Sequence, residues 1–196
     1  MVLSIDIGRI KRESYRIIRQ DGLSDICGGL MLAIMALFFI DFKYAGALIV
    51  GCSMQTIVLP TCRRKITFPR VGYAKFPGRT DKKNLILWDI ALPLAVVALV
   101  ICVGIWLRPL LPLSLGIILA GLAFPSACAT QYVLDYVLAA TFLASGVIGQ
   151  MFVWLGRTPE TATALQFWGL SGILIPVGVV LLARFLRDNP LPTKEV

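Results

Sequence analysis

The sequence predicts an all-α integral membrane protein with six transmembrane helices arranged as three hairpins, preceded by an N-terminal amphipathic helix at the membrane interface. Two observations favour this fold class. Among the 196 residues, 58% are hydrophobic and only 15% are charged, whereas about 25% of an ordinary soluble domain is charged. Apolar runs also recur along the chain, and a helix needs about 20 mostly apolar residues to cross a bilayer.

Residues 1–24 are predicted to form the cytoplasmic amphipathic helix. Its apolar residues recur at roughly helical spacing between charged ones, a pattern typical of a helix lying in the interface plane. Charges occur throughout the segment, rather than in one short basic region before an apolar core, which argues against a signal peptide. We expect Gly22 to cap the end of this helix and Ser24 or Asp25 to cap the start of the first span. The apolar residues are Leu3, Ile7, Ile10, Ile17 and Ile18.

Six apolar runs predict the transmembrane helices. They pair into hairpins at 25–60, 85–129 and 130–187, with a basic cytoplasmic loop at 61–84 and a cytoplasmic tail at 188–196. The first two runs are short because Asp41-Phe42-Lys43 separates them, so a re-entrant hairpin is an alternative for this pair. The runs are 26–40, 45–60, 85–107, 110–129, 133–155 and 165–186.

The distribution of Lys and Arg predicts the orientation, because basic residues near spans are retained on the cytoplasmic side. In the six-span arrangement, all but three of the 19 Lys and Arg residues fall on one side. The three on the other side are Lys43, Arg108 and Arg157. We therefore expect a protein integral to the plasma (inner) membrane, with both termini in the cytoplasm.

The loop 61–84 contains the stretch RRKITFPRVGYAKFPG, in which cations are interspersed with apolar and aromatic residues. Each Lys or Arg beside the anionic inner leaflet contributes about 1 kcal/mol of attraction, and aromatic residues settle at headgroup depth. The residues predicted to contact lipid or a partner are Arg63, Arg64, Lys65, Phe68, Arg70, Tyr73, Lys75 and Phe76.

Two interpretations of this loop stay open. In the simpler one, the loop lies on its own membrane and contacts anionic headgroups. In the other, 66–68 and 71–73 form short strands about Pro69, and the folded element docks a protein partner or an anionic ligand. Arg70 and Lys75 are then the favoured contacts, because Arg pairs well with carboxylate or phosphate. Nucleic acid is not expected as a partner, because a position next to the membrane already accounts for the basic charge.

An aspartate recurs near the start of each odd-numbered span, at Asp25, Asp89 and Asp135. The similar segments around them predict an internal duplication of the hairpin. One interpretation is that each carboxylate caps its helix, where the helix dipole favours negative charge. The other is that the three form the cytoplasmic mouth of a small transporter or channel, because a ring of negative charge attracts cations.

The residue inventory predicts no catalytic, cofactor-binding or metal site. The sequence contains no His, which removes the commonest general base and metal ligand. Its five Cys form no Cys-x-x-Cys pair, and no familiar hydrolase or phosphate-binding motif occurs. Small residues such as Gly169, Gly172 and Gly178 instead predict close helix packing, within the chain or in a homo-oligomer. The polar candidates in or near the spans are Gln55, Gln150 and Gln166.

Two resemblances accompany these patterns. The segment ITFPRVGYAKF, following DGLSDICGGL, resembles a family of small multi-pass membrane proteins that carry a Pro-Arg-x-Gly-Tyr loop after their first hairpin. The three-hairpin plan is similar to that of HdeD-type acid-resistance membrane proteins, from which the long basic loop departs. Neither resemblance implies a known activity or a set of catalytic residues.

These observations predict a non-catalytic membrane protein, an accessory or scaffold subunit whose basic cytoplasmic face docks a partner or anionic lipid. The alternative is a small transporter or channel for a polar solute or cation. The expected partners are anionic lipid headgroups, a protein partner or further copies of the chain.

Overall fold

The computed structural model describes residues 19–71 and 106–190, and every regular element in these two ranges is helical. Four long helices are named α1, α5, α6 and α7, and three shorter ones α2, α3 and α4. Their bounds are α1 Leu23–Ile40, α2 Gly46–Ser53, α3 Leu59–Ile66, α4 Phe68–Val71, α5 Leu111–Thr130, α6 Val133–Trp154 and α7 Pro159–Asp188. Two 3-10 turns, Phe42–Ala45 and Arg108–Leu110, precede α2 and α5, and a π-helical turn, Met54–Val58, lies between α2 and α3.

Four helical segments in the described ranges are long and apolar enough to cross a membrane. They are α1, the segment Arg108–Pro125 at the start of α5, α6 and α7. The all-α class and the membrane-embedded character predicted from composition are therefore confirmed. The prediction of six transmembrane helices in three hairpins is wrong.

The second predicted span, 45–60, shows why the structure has fewer long spans than predicted. It is divided between α2, with eight residues, and a π turn of five residues, in which hydrogen bonds run from i to i+5 and the α-helical ladder is interrupted. The next helix, α3, is short and ends in Arg63, Arg64 and Lys65. The helical path from Gly46 to Ile66 is continuous, but no uninterrupted α-helix of spanning length forms there. Most of the third predicted span, 85–107, and of the N-terminal segment 1–24 lies outside the described residues.

Helix pairing also differs from the predicted hairpins. The most extensive packing of α1 is against α7, at the other end of the chain, and that of α5 is against α6. The buried core between these helices is apolar, with Leu32, Ala36, Leu111, Leu115, Ala164, Phe167, Leu170 and Leu174. Phe39 of α1 meets Phe167 of α7 edge to face, with ring centroids 5.4 Å apart.

Glycines allow the closest contacts in both pairs. Between α5 and α6, a Cβ built on Gly116 would lie 2.6 Å from the Cα of Gly146. Between α1 and α7, Gly178 lies against the backbone of Gly22 and Ile26. Such close approach is typical of membrane helices, where packing between small residues replaces the hydrophobic effect. Three glycines of α7 were predicted to pack closely: Gly169, Gly172 and Gly178. Among the described residues, only Gly178 makes such a contact.

The helices share two ends, which we name after one residue each. The Arg63 end contains residues 19–24, the end of α3, the start of α6 and the last turn of α7, joined by the contacts described below. At the Arg108 end, Arg108 Nη2 lies 2.7 Å from Glu160 Oε1, and Gln150 Nε2 donates to the carbonyl of Pro109 at 3.0 Å. Between the ends, the outer faces of α6 and α7 expose apolar side chains such as Ile148 and Val180.

Candidate functional site

The Arg63 end contains a group of buried and partly buried charges that we name the ionic cluster: Arg19, Asp21, Asp25, Arg63 and Asp135. Arg19 joins two of the repeated aspartates. Its Nε donates to Asp135 Oδ1 at 2.6 Å, and its Nη1 lies 3.0 Å from Asp25 Oδ1. One guanidinium therefore bridges the first turns of α1 and α6, a geometry that its planar arrangement of donors allows.

Arg19 keeps its charge in this position. Burial of its side chain acts to lower the pKa, but the facing carboxylates of Asp25 and Asp135 raise the pKa above its ordinary value. The Asp135 side chain is only 4% exposed. A buried ion pair is stable only when its hydrogen bonds are well formed, and the 2.6 Å contact fits that condition.

Asp21 is the third acid of the cluster, and its side chain is fully buried. It accepts hydrogen bonds from the Leu23 amide at 3.0 Å, from Arg63 Nε at 3.0 Å and from Thr67 Oγ1 at 3.1 Å. Arg63 Nη2 also donates to Ser24 Oγ at 2.6 Å. Asp21 therefore accepts a backbone amide at the start of α1 and links α1 to α3. Its three hydrogen bonds provide the pairing that a buried carboxylate requires.

This arrangement corrects the predicted caps. Gly22, expected at the end of the preceding helix, stands at the N-cap of α1 with φ of 68°, a left-handed conformation that favours glycine. A side chain there would also collide with the carbonyl of Gly178. Ser24 and Asp25 lie inside the first turn of α1 rather than at its cap. The carboxylate that bonds the helix start is Asp21, two residues before the first helical residue.

The predicted lipid-contact residues separate into two groups within 19–71. Arg63 points inward to the ionic cluster, whereas Arg64 and Lys65 are exposed. Phe68 is half-buried, and Arg70 Nη1 donates to the carbonyl of Asn189 at 2.9 Å. Tyr73, Lys75, Phe76 and the predicted mouth residue Asp89 lie outside the described residues.

The predicted strand pair about Pro69 is wrong wherever the chain is described. Thr67 is a turn, and Phe68–Val71 is the short helix α4. Pro69 occupies the second position of α4, where its missing N–H has no intrahelical partner to lose. The segment can therefore continue as helix through a proline that would disfavour a tight hairpin.

Polar side chains also lie buried near the Arg108 end. Gln150 and Gln166 are both almost fully buried. Gln166 Nε2 donates to Ser145 Oγ at 3.3 Å, and the Oε1 atoms of both glutamines are buried with no hydrogen-bond partner in the part of the chain that the structure describes. The third predicted polar residue, Gln55, is half-buried, with its amide close to Gly28.

Within the two described ranges, no group of three or more His, Cys, Asp or Glu side chains could hold a metal ion. Cys27, Cys62 and Cys128 are thiols outside any disulfide. Comparison of the chain with protein-family models, with curated proteins and with solved structures finds no match. The geometry of the Arg63 end is thus the main guide to function, and the resemblances noted in the sequence stay predictions.

Proposed function

We propose that the protein is a non-catalytic membrane protein, an accessory or scaffold subunit, whose Arg63 end docks anionic lipid headgroups at the cytoplasmic surface. The observation that supports this proposal is the division of the consecutive cations of α3. Arg63 is engaged by Asp21 and Ser24, and its neighbours Arg64 and Lys65 are exposed.

The internal contacts hold the exposed cations in place. Leu59 is buried in a small apolar cluster with Cys27 of α1, and Arg63 fastens the other end of α3. Arg64 and Lys65 therefore sit on an anchored helix at the end of the helical bundle. Charges placed there attract an anionic leaflet by about 1 kcal/mol each, and holding their helix in advance reduces the entropy lost on binding. A protein partner with an acidic surface is the alternative ligand.

The positive-inside rule supports a cytoplasmic placement of the Arg63 end. In the described ranges, the basic residues at this end are Arg19, Arg63, Arg64, Lys65, Arg70, Arg184 and Arg187, against Lys43, Arg108 and Arg157 at the other.

Cysteine labelling tests this orientation. In a functional variant freed of native Cys, Lys43→Cys and Arg157→Cys should react with a membrane-impermeant maleimide added to intact cells, and Lys65→Cys should react only after lysis. All three side chains are exposed, so a difference in labelling reports the side of the membrane. Labelling of position 65 from outside would reverse the orientation and reject docking at the cytoplasmic surface.

A charge-matched pair of double variants tests lipid docking. Arg64→Gln with Lys65→Gln should lower the affinity for phosphatidylglycerol about 30-fold at low salt, since two contacts of about 1 kcal/mol are lost. Lys43→Gln with Arg157→Gln removes the same charge at the other end and should leave the affinity unchanged. Binding is measured by titrating the detergent-solubilised protein with the lipid, and the difference should shrink in high salt. Equal losses in both double variants would reject a docking site at the Arg63 end.

A second candidate function, movement of a polar solute, is favoured by the two buried glutamine oxygens, which have no hydrogen-bond partner within the described ranges. A solute that donates hydrogen bonds would satisfy them, because an unpaired buried acceptor is costly. The predicted mouth lends less support, since Asp25 and Asp135 share Arg19 and much of their negative charge is compensated. Uptake of candidate cations into liposomes by the parent protein and by Asp135→Asn tests the aspartate mouth.

A further inference from the structure

A cavity of about 260 Å³ lies at the Arg63 end, between the last turns of α7 and the residues that precede α1 and α6. Leu181 and Phe185 line it with apolar surface, and Arg184, Asp188, Tyr132 and Asn189 line it with polar groups. Its size is slightly below that of typical small-ligand pockets, and a few polar groups on an apolar wall are their usual composition.

Two opposite charges stand side by side in this cavity. Arg184 Nε lies 3.7 Å from Asp188 Oδ2, and the two side chains are 73% and 52% exposed. That distance is too long for a hydrogen bond. Both groups therefore keep hydrogen-bonding capacity for a ligand that carries an anion next to a cation.

The location restricts the class of ligand. Arg184 and Asp188 are in the last turns of a helix that is long enough to cross the membrane, so the cavity lies at the depth of lipid headgroups. Leu181 lies about one helical turn nearer the middle of α7 than Arg184, and Phe185 about one turn nearer than Asp188, so each charge has an apolar side chain on its deeper side that the first carbons of acyl chains would contact. A carboxylate inside the cavity disfavours a purely anionic headgroup, because like charges repel.

We propose that this cavity binds the headgroup of a zwitterionic aminophospholipid such as phosphatidylethanolamine. Its phosphate contacts Arg184, and its primary ammonium donates hydrogen bonds to Asp188. This inference goes beyond the docking of anionic lipid at Arg64 and Lys65, because it concerns a different headgroup and different side chains. Phosphatidylcholine fits less well, since its quaternary ammonium has no N–H to donate.

The chain supplies a matched control for the test. Arg187 has the same charge as Arg184, is on the same helix and approaches the same carboxylate, with Nε 3.4 Å from Asp188 Oδ1, but it does not line the cavity. Arg184→Gln and Arg187→Gln therefore remove equal charge from the same surface. Thermal unfolding of each variant in detergent checks that the fold is kept, as expected for side chains that are mostly exposed.

The full-length protein is reconstituted in vesicles of equal parts palmitoyl-oleoyl phosphatidylethanolamine, phosphatidylcholine and phosphatidylglycerol, re-extracted in mild detergent, and its retained lipids are quantified by mass spectrometry. We expect phosphatidylethanolamine to be retained over phosphatidylcholine. Arg184→Gln and Asp188→Asn should each reduce its retention about tenfold, the effect of one charge-assisted hydrogen bond. Arg187→Gln should not lower retention, because Arg184 stays in place and Asp188 loses only a competing cation that donates to its Oδ1 at 3.4 Å.

A cavity-filling variant, Leu181→Trp, should also exclude the lipid, and it does so without altering any charge. Equal retention in Arg184→Gln and the parent, or equal retention of the ethanolamine and choline lipids, would overturn the inference. Preferential retention of phosphatidylglycerol that is lost in Arg184→Gln would assign the cavity to anionic lipid instead. The Arg64 and Lys65 double variant in the same assay should change only phosphatidylglycerol, so the two proposals fail separately.

Discussion

Asp135→Ala should lower the free energy of unfolding by about 3–5 kcal/mol, the usual cost of removing one partner of a buried ion pair. The Asp135 carboxylate is 4% exposed and lies 2.6 Å from Arg19 Nε. Without it, Asp25 is the one carboxylate within the described residues that still pairs with the Arg19 guanidinium. Chemical unfolding of the purified protein in detergent measures the effect.

Asp41→Ala is the control for this experiment. Asp41 pairs with Lys43 at 2.9 Å, but the two side chains are 39% and 83% exposed. Exposed pairs contribute at most about 1 kcal/mol, because water and salt screen them. Equal effects of the two alanine variants would mean that the Arg19 bridge does not hold α1 and α6 together.

Asp135→Asn distinguishes the roles considered for this residue. A helix cap tolerates Asn, which caps about as well as Asp, so the capping interpretation predicts little loss of stability. Within the described residues, the N-cap residue Tyr132 makes no side-chain cap hydrogen bond at the start of α6, and Asp135 accepts a hydrogen bond from Arg19. We therefore expect Asn to destabilise the protein by loss of charge. If Asn leaves the fold intact but abolishes cation uptake into liposomes, the transport function is favoured instead.

Gly116→Ala should be the most damaging single-methyl change in α5, with a loss of about 1–3 kcal/mol typical of overpacking. An added Cβ would lie 2.6 Å from the Cα of Gly146, 2.9 Å from the carbonyl oxygen of Phe142 and 3.0 Å from the Gly146 amide nitrogen. All three are backbone atoms, so no rotamer change can relieve the clash. The two helices have to move apart, and the packing that holds them together in the membrane is lost.

Gly121→Ala is the matched control, because Gly121 is in the same helix and its Cβ would meet nothing within 4 Å among residues 19–71 and 106–190. The same methyl group there should leave stability unchanged or raise it slightly through better helix propensity. Unfolding of both variants in mixed detergent micelles gives the comparison. If Gly121→Ala is as harmful as Gly116→Ala, backbone flexibility rather than the contact with α6 is the property that matters at both sites.

For the repeated aspartates, the sequence pattern identified the residues but not their partner. Their recurrence singled out Asp25 and Asp135, and the structure brings both to Arg19. The partner was not predictable, because Arg19 and Asp135 are 116 positions apart and no local spacing links them. Asp21 was missed altogether. Its position two residues before the first helix is the one local signal that would have indicated a residue bonding the helix start.

The basic residues of α3 show the same limit. Arg63, Arg64 and Lys65 are consecutive and equal in charge, so composition predicts the same role for each. A helix rotates successive side chains by about 100°, and that rotation turns Arg63 toward Asp21 while its neighbours remain exposed. Which cation is internal thus depends on the face that α3 packs against α1.

The all-α class and the membrane-embedded character were determined by the sequence alone, because the free energy of placing a helix in lipid depends on its own length and composition. The number of long spans and the pairing of α1 with α7 were decided by the tertiary structure. So was the choice between Gly116 and Gly121 as the contact glycine, since both belong to the same apolar run and only the approach of α6 distinguishes them. Packing depends on which faces of distant segments meet, and that information is not local to either segment.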